Sequence, residues 1–378
     1  MKHGTGIVAC QVPSGGIRMQ AAVLRQYGAQ LSVVEMELDR PLAQEVVVRT
    51  AASGLCHSDR LAQRGDSPRA RILPVVLGHE AAGIVESVGE QVTTVRPGDR
   101  VVACAASFCG MCEWCQRGLQ QHCDAMNRSR PAGSRPRLSC AGVPIAAFVG
   151  LGGFAAQMLV HERAVVKIPD EMPLDRAALL GCAVHTGIGA VRHSAKVSLG
   201  ETVTVIGCGG VGLNIVQAAR MAGASKVIAV DIRQSALARA IAFGATATVD
   251  ASSERTVAMV HEITGGGTDH VFEVVGRPET IEQACAMART RGVITVVGLP
   301  RPGDRVEIPA DAFFSEKRLQ GSKMGNQFRL DIPWYCEMYL AGRLKLDELI
   351  SERISLAEVN DGMQALDHSD LARSVIVF

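Results

Sequence analysis

The alternation of apolar and polar positions changes character near residue 184. Between residues 19 and 170, short apolar runs such as EVVVRTAASG, AAGIVESVG and DRVVACAA recur, separated by Gly- and Pro-containing turns such as RPGD at 96–99. Runs of this kind, rich in Val and bounded by turn residues, predict short strands, and many of them in succession predict an all-β, barrel-like domain. Beyond residue 184 the strands alternate with helices: TVTVIG, GVGLNIVQAARMAG, KVIAVD, SALARAIAFG and ATATVD. A helix through 254–263, the strand DHVFEVVG, a helix over 279–289 and the strand GVITVVGL continue the series. That alternation predicts a parallel, doubly wound sheet. Helices around 331–341 and 356–366 and a final strand, ARSVIVF, complete the chain. Met19 opens the first clean strand, which leaves residues 1–18 as a loose extension.

Inside the β-rich part, Cys109, Cys112, Cys115 and Cys123 stand at C-x2-C-x2-C-x7-C spacing. Four thiolates brought together by sharply turning backbone make a tetrahedral zinc site, and Gly110 and Gly118 supply the turns. The crowding speaks against a pair of disulfides. A closed four-thiolate site is structural, so this lobe names an architecture before a reaction.

Composition narrows the function classes. The chain has 378 residues, enough for two domains, and a formal charge of +1, so no global field points to nucleic acid or to a membrane surface. No apolar run reaches the ~18 residues of a membrane span, and no signal-peptide core stands out near the start. Twelve cysteines, several at ligand-like spacing, point to a reducing compartment and hence to the cytoplasm.

Gly207, Gly209 and Gly212 form G-x-G-x-x-G between the strand TVTVIG and the following helix, with Gly210 and Val211 completing the loop. The first glycine allows the tight turn, the second lets backbone approach a pyrophosphate, and the third lets helix and strand pack closely. Free N–H groups at the helix start then face the anion. Asp231 ends the next strand, where a carboxylate accepts from ribose hydroxyls and repels a 2′-phosphate, which favours NAD(H) over NADP. Arg233, two residues on, is a cation able to meet such a phosphate. Three further candidates are scattered: Cys56 in SGLCHSD, His79 in LGHEAAG and Cys182 in LLGCAVHTG. Two sulfurs and one imidazole suit a catalytic zinc with an open fourth position, although spacing alone does not join them.

From Met19 to Phe378 the chain resembles the zinc-dependent medium-chain alcohol dehydrogenases. The segments that carry the resemblance are GLCHSD, GHEAAGIVESVGEQVTTVRPGDRV, the cysteine lobe, GC-x3-TG, GCGGVGL and the terminal RSVIVF. The resemblance implies a GroES-like β-barrel catalytic domain over 19–183 and 327–378, carrying the lobe at 109–123. It also implies a Rossmann coenzyme domain over 184–326. Cys56, His79 and Cys182 would hold the catalytic Zn²⁺, giving two zinc ions per chain with the lobe. Asp59 would orient His79, Glu80 would approach the metal during ligand exchange, and Ser58 would bond the substrate oxygen and start the proton relay. Leu61 stands where many relatives end that relay in a histidine, so the proton would leave through ribose hydroxyls and water. His57 and Arg373 would contact the cofactor pyrophosphate, and Thr186 and Val211 the nicotinamide ring. His185 and His193 receive no role.

The activity implied is interconversion of a primary alcohol and its aldehyde by hydride transfer to NAD⁺. Phe148 and Phe154, flanking Val149, would line an apolar channel, and Ala105, small where several relatives carry a large aromatic, would admit bulky hydrophobic or aryl substrates. The loop from Arg128 to Arg137 holds Arg128, Arg130, Arg135 and Arg137 without an acid. Such a run reads as solvated surface, or else as contact with an anionic thiol adduct, as in formaldehyde dehydrogenases that oxidise glutathione or mycothiol adducts. A non-catalytic dinucleotide-binding relative is a further alternative, distinguished by its zinc content. Residues 292–299, taken as a sheet edge, suggest a homodimer, with a tetramer also open.

Overall fold

In the computed structural model the described residues are 8–9, 16–67, 69–125, 130–131, 133–325, 327–368 and 371–378. The strand Glu45–Gly54 organises the first half of the chain. It is buried along nearly its whole length, which its almost unbroken apolar run permits. Gln157–His161 pairs with its first residues and Arg373–Val377 with its last ones, both antiparallel, and Glu80–Val88 runs antiparallel along it as well. A second sheet closes on itself, because Ser32–Leu38 pairs both with Ile17–Leu24 and with Leu138–Cys140. The closed barrel is filled by Leu24, Met36, Leu38, Leu77, Phe148 and Phe154. These elements belong to one compact unit, Met1–Cys182 with Phe328–Phe378.

The other unit, Ala183–Gln327, is the doubly wound part. Its six strands are all parallel, running in space from Ala247–Asp250 through Lys226–Asp231, Thr202–Ile206, Thr268–Glu273 and Ala288–Val296 to Arg318–Gly321. Helices Gly210–Met221, Gln234–Ala242, Thr256–Thr264 and Pro278–Met287 supply the crossovers. Val230, Val271 and Ile294 from three of the strands meet in one core cluster. The chain therefore has the mixed α/β architecture expected of a GroES-like barrel with a Rossmann sheet.

Four expectations need correction. The first barrel strand starts at Ile17, not Met19, and Val8–Ala9 joins the sheet in parallel with Val34–Glu35. Most of the expected N-terminal extension lies outside the described residues. Residues 292–296 lie on an inner strand; Arg318–Gly321 forms the outer one, because a short polar segment after the last long apolar run still finds a partner. A helical stretch from Leu174 to Ala195, with wide π-type turns at Leu180–Val184 and Ala190–Ala195, had no counterpart in the sequence reading.

The arginine loop is the fourth. Arg130 bonds Asp39 at 2.5 Å and Glu45 at 2.6 Å with only 6% of its side chain exposed, and Arg137 reaches Glu45 at 2.7 Å. Arg135 pairs with Glu37 at 3.0 Å. The acids missing from the loop come from the barrel strand Ser32–Leu38 and from Asp39 and Glu45, so Arg130 and Arg137 form a buried clamp while Arg135 stays largely exposed. Arg128 lies outside the described residues.

Candidate active site

Strand register brings the scattered ligands together. Gly54 pairs with Glu80 in the antiparallel ladder. Cys56, just past the end of one strand, therefore meets His79, just before the start of its neighbour. Gly54 is needed there, since a Cβ would press on the Glu80 carboxylate at 2.6 Å. Arg373–Val377 adds the third side, with Val375 opposite Gly54 and Leu55 N–H donating to the Ser374 carbonyl at 2.9 Å. Cys182 arrives on the wide turn after helix Leu174–Leu179. Gly181 beside it lets this turn lie directly against the Ala103 carbonyl, where a Cβ would overlap. Donor atoms of Cys56, His79, Glu80 and Cys182 all lie within 4.8 Å of one another.

Asp59 holds the cluster in shape. It is fully buried in the first turn of helix His57–Arg64, where its Oδ2 accepts from Cys56 N–H at 3.3 Å. Its Oδ1 accepts from Gly78 N–H at 3.0 Å and meets His79 Nδ1 at 3.0 Å. An oxygen in that role accepts from the ring, so Nδ1 carries the proton and Nε2 keeps its lone pair for a metal. Burial alone would lower the His79 pKa, but Asp59 and the Cys56 sulfur outweigh it and raise it well above the ordinary value. The hydrogen bond from Cys182 holds Cys56 well below the usual thiol range, against burial and with help from Arg373 and His79. Cys182, facing that sulfur, is raised correspondingly.

Glu80 has both carboxylate oxygens buried without a hydrogen bond, and burial pushes its pKa up to about 8 despite Arg373 nearby. Such orphaned acceptors beside two sulfurs and a ring nitrogen are what a cation would satisfy, and this donor set fits zinc. Arg373 is turned inward, with Nη2 at 3.5 Å from Glu80 and 3.9 Å from Cys56 Sγ. There its guanidinium offsets the negative charge of the ligand cluster.

The other predicted residues fall into two groups. Ser58 and His57 stand at the start of helix His57–Arg64, half-buried and exposed respectively. Phe148 meets His79 edge-on, ring centroids 5.7 Å apart. Phe154 is wholly enclosed in the barrel core, and Ala105 is buried as well, so Phe148 is the member of this set with a contact to a ligand residue.

The four lobe cysteines also gather within 4.8 Å. Gly110 and Gly118 take positive φ of 78° and 74°. N–H groups of Met111 and Cys112 point at Cys109 Sγ at 3.4 and 3.3 Å, and Cys109 N–H points at Cys123 Sγ at 3.2 Å. The Met111 amide, above all, brings Cys109 down to about 6, so a thiolate forms readily. Sequence reasoning missed Arg163, whose guanidinium donates to the Phe108 and Cys109 carbonyls and lies 5.7 Å from the Phe108 ring centroid.

In the second unit Gly207 takes φ of 94° after the strand Thr202–Ile206. A Cβ on Gly212 would overlap the Gly207 carbonyl, whereas one on Gly209 would meet no atom within 4 Å. The first contact is tight packing and the second an open face, as a dinucleotide loop requires. Asp231 Oδ2 accepts from Cys208 N–H at 2.7 Å and Oδ1 from Arg233 N–H at 2.9 Å, so it also braces the loop. Glu273, at the end of the neighbouring strand, was not anticipated. It accepts from Val275 and Gly276 N–H at 2.8 and 2.7 Å and fixes the next loop. Thr186 is half-buried in His185–Gly189, and Gly210 and Val211 open helix Gly210–Met221.

A nucleotide-type sheet, a β-rich unit carrying a largely buried Cys–His–Cys donor set and a four-cysteine lobe together define a zinc-binding dehydrogenase. Comparison agrees: residues 42–170 match the alcohol dehydrogenase GroES-like domain and residues 210–340 the zinc-binding dehydrogenase family. Alcohol dehydrogenase 6 of Peromyscus maniculatus is 34% identical over 368 residues, covering 96% of this chain and 98% of that protein. Benzyl alcohol dehydrogenase of Acinetobacter calcoaceticus superposes with a TM-score of 0.90 at 30% identity, covering 96% and 99% of the two chains. A zinc-binding dehydrogenase of Sinorhizobium meliloti, solved bound to NADP, gives 0.80 at 28% identity over 96% and 100%. The chain belongs to the zinc-dependent medium-chain alcohol dehydrogenase family and is an oxidoreductase of alcohols and aldehydes. Family and relatives support zinc and a nicotinamide dinucleotide as its cofactors.

Proposed function

We propose that the chain interconverts bulky hydrophobic or aryl primary alcohols and their aldehydes, with NAD(H) and two zinc ions per chain. The observation that carries this reading is the convergence of Cys56, His79 and Cys182, with Asp59 fixing the His79 ring. Those three side chains would hold the catalytic zinc, and Cys109, Cys112, Cys115 and Cys123 the structural one. When bound, the catalytic metal polarises the substrate oxygen and the dinucleotide exchanges a hydride with the substrate carbon.

The chain's own residues do the rest. Ser58 Oγ, two residues past Cys56, would hold the substrate hydroxyl and take its proton, which leaves toward solvent because Leu61 offers no base. Phe148 against His79 would shield the site from water, and the small Ala105 side chain would leave room for a ring. The benzyl alcohol dehydrogenase relative supports an aryl substrate. Asp231 supports NAD over NADP, because a carboxylate at the end of strand Lys226–Asp231, braced by the Cys208 and Arg233 amides, would accept from ribose hydroxyls and leave no room for a 2′-phosphate. The thiol-adduct alternative loses its main support, since Arg130, Arg135 and Arg137 are already paired with Glu37, Asp39 and Glu45. Cytoplasmic residence rests on the free thiols of the two ligand clusters, although Cys140 is disulfide-bonded, and a homodimer rests on the exposed Phe313 and Phe314.

The test is reduced-cofactor formation from benzyl alcohol, long-chain and short-chain alcohols and a thiol adduct, each with NAD⁺ and NADP⁺ and with a zinc chelator. Benzyl alcohol with NAD⁺ should give the highest kcat/KM and lose it on chelation. A preference for the thiol adduct or for NADP⁺ would overturn the corresponding part of the reading.

A further inference from the structure

The nucleotide unit carries a second concave site, at the opposite edge of its sheet from the glycine loop. Parallel sheets bind dinucleotides beyond the carboxyl ends of their strands, where Gly207, Asp231 and Glu273 lie. At the amino ends a cavity of ≈ 500 Å³ is lined by residues including Glu201, Asp269, His270, Arg289, Arg291 and Arg318. Strands of about five residues at ~3.3 Å each separate the two edges by roughly 15 Å. The cavity size falls in the range of about 300–1,000 Å³ usual for small-molecule sites.

A large bulge builds this cavity. Thr268 pairs with Ala288 and His270 with Val293, so the single residue Asp269 stands opposite Arg289, Thr290, Arg291 and Gly292. The extruded segment places Arg291 at φ of 64°, a left-handed conformation that a residue with a Cβ rarely adopts, and Arg291 N–H is tied to the Ser315 carbonyl at 2.9 Å. Bulges of this kind re-aim side chains, and this one presents two guanidinium groups beside a third, Arg318, on the next strand.

Charge is not balanced within the cavity. Asp269 is engaged, accepting from Thr202 N–H at 2.9 Å and its hydroxyl at 2.7 Å and pairing with Arg289. Glu201 is engaged too, by the buried His270 Nε2 at 2.8 Å and by Ser198 N–H at 2.7 Å. Arg291 meets only Glu316, at 3.7 Å with both side chains largely exposed, and Arg318 makes no ion pair among the described residues. Exposed pairs at that distance contribute little, so the donors of two guanidinium groups are available. The planar fork of arginine matches phosphate oxygens in pairs.

We propose that this bulge and cavity bind a small phosphate-bearing molecule, held by Arg291 and Arg318 and backed by the Arg289–Asp269 pair, independently of the cofactor. The inference rests on the nucleotide unit alone and not on the substrate reading above.

Pyrophosphate is the probe, titrated calorimetrically into the full-length protein with and without saturating nicotinamide dinucleotide. The dinucleotide masks the cofactor edge, so saturable binding that persists in its presence is the expected result. Arg291→Ala with Arg318→Ala should weaken that binding about tenfold or more while dinucleotide affinity and Tm stay unchanged. The single Arg291→Glu variant should abolish it by charge reversal. Inorganic phosphate should bind at the same place more weakly. Binding that vanishes once dinucleotide is present, or that the double variant retains at full affinity, would overturn the proposal.

Discussion

Single atoms decide what several residues in this protein do. Asp59 is an acid in a helix's first turn, a position that by itself suggests nothing beyond the helix dipole. Its three hydrogen bonds, to Cys56, Gly78 and His79, make it the residue that sets the ligand geometry. Asp59→Asn keeps the shape, but whichever way the amide turns its NH2 meets an N–H donor: Cys56 N–H in one orientation, Gly78 N–H and the His79 ring in the other. Zinc affinity should fall about 10–100-fold, as read by competition with a chromophoric chelator, while the fold persists. Unchanged affinity would show that Asp59 only packs. Glycines separate in the same way. Gly212→Ala drives a methyl into the Gly207 carbonyl, so Tm should fall, whereas Gly209→Ala enters open space. The second variant should keep stability within about 0.5 kcal/mol and lose dinucleotide affinity, measured by fluorescence titration of the reduced cofactor.

At the scale of elements, loops are held by charges that reach them from elsewhere. Burial alone would raise the Glu45 pKa, but the bonds from Arg130, Leu42 N–H and Arg137 together outweigh it and hold the carboxyl below its usual value of 4.5. A carboxylate depressed in the folded state stabilises fully above its unfolded pKa, and that contribution is lost as pH falls through the folded value. Glu45→Gln should therefore lower stability near neutral pH by about 3 kcal/mol, with Arg130 keeping Asp39 as a partner. The deficit should shrink below about pH 4.5. Denaturant unfolding at pH 7 and pH 4 measures both parts, and a pH-independent deficit would remove the electrostatic account. None of this was legible in the sequence. The basic run was plain, but Asp39 and Glu45 lie 91 and 85 residues from Arg130, and register alone brings them together. The cysteine lobe was legible because its ligands are close in sequence and its turns fall on glycines. Arg163 escaped notice for the opposite reason, since it supports the lobe from beyond Gln157–His161. Arg163→Ala should speed zinc release from the lobe, followed with a metallochromic dye, and Arg163→Lys should restore little because a compact ammonium lacks the planar fork that bonds the carbonyls while lying over the ring.

For the whole molecule, the fold class could be read from the switch of hydrophobic period at residue 184, and the scattered ligands only through the family resemblance. The missing information was the pairing of Gly54 with Glu80, which periodicity cannot supply because a shift of register would move Cys56 away from His79. The two ligand clusters, each proposed to hold one zinc, have separable consequences. The lobe ligands hold a loop built on turns with little apolar packing, whereas Cys56, His79 and Cys182 sit next to the ends of two strands and a helix that packing already fixes. Cys112→Ser should therefore leave one zinc per chain and lower Tm by several degrees, since about 1 kcal/mol moves Tm by about 2–4 °C for a unit of the size that carries the lobe. Turnover per remaining catalytic zinc should change little. Cys182→Ser should also leave one zinc, with Tm nearly kept and alcohol oxidation lost. Metal analysis, calorimetry and turnover on the same two samples check the assignment. Loss of turnover in the Cys112 variant without a fall in Tm would reverse the roles given to the two clusters.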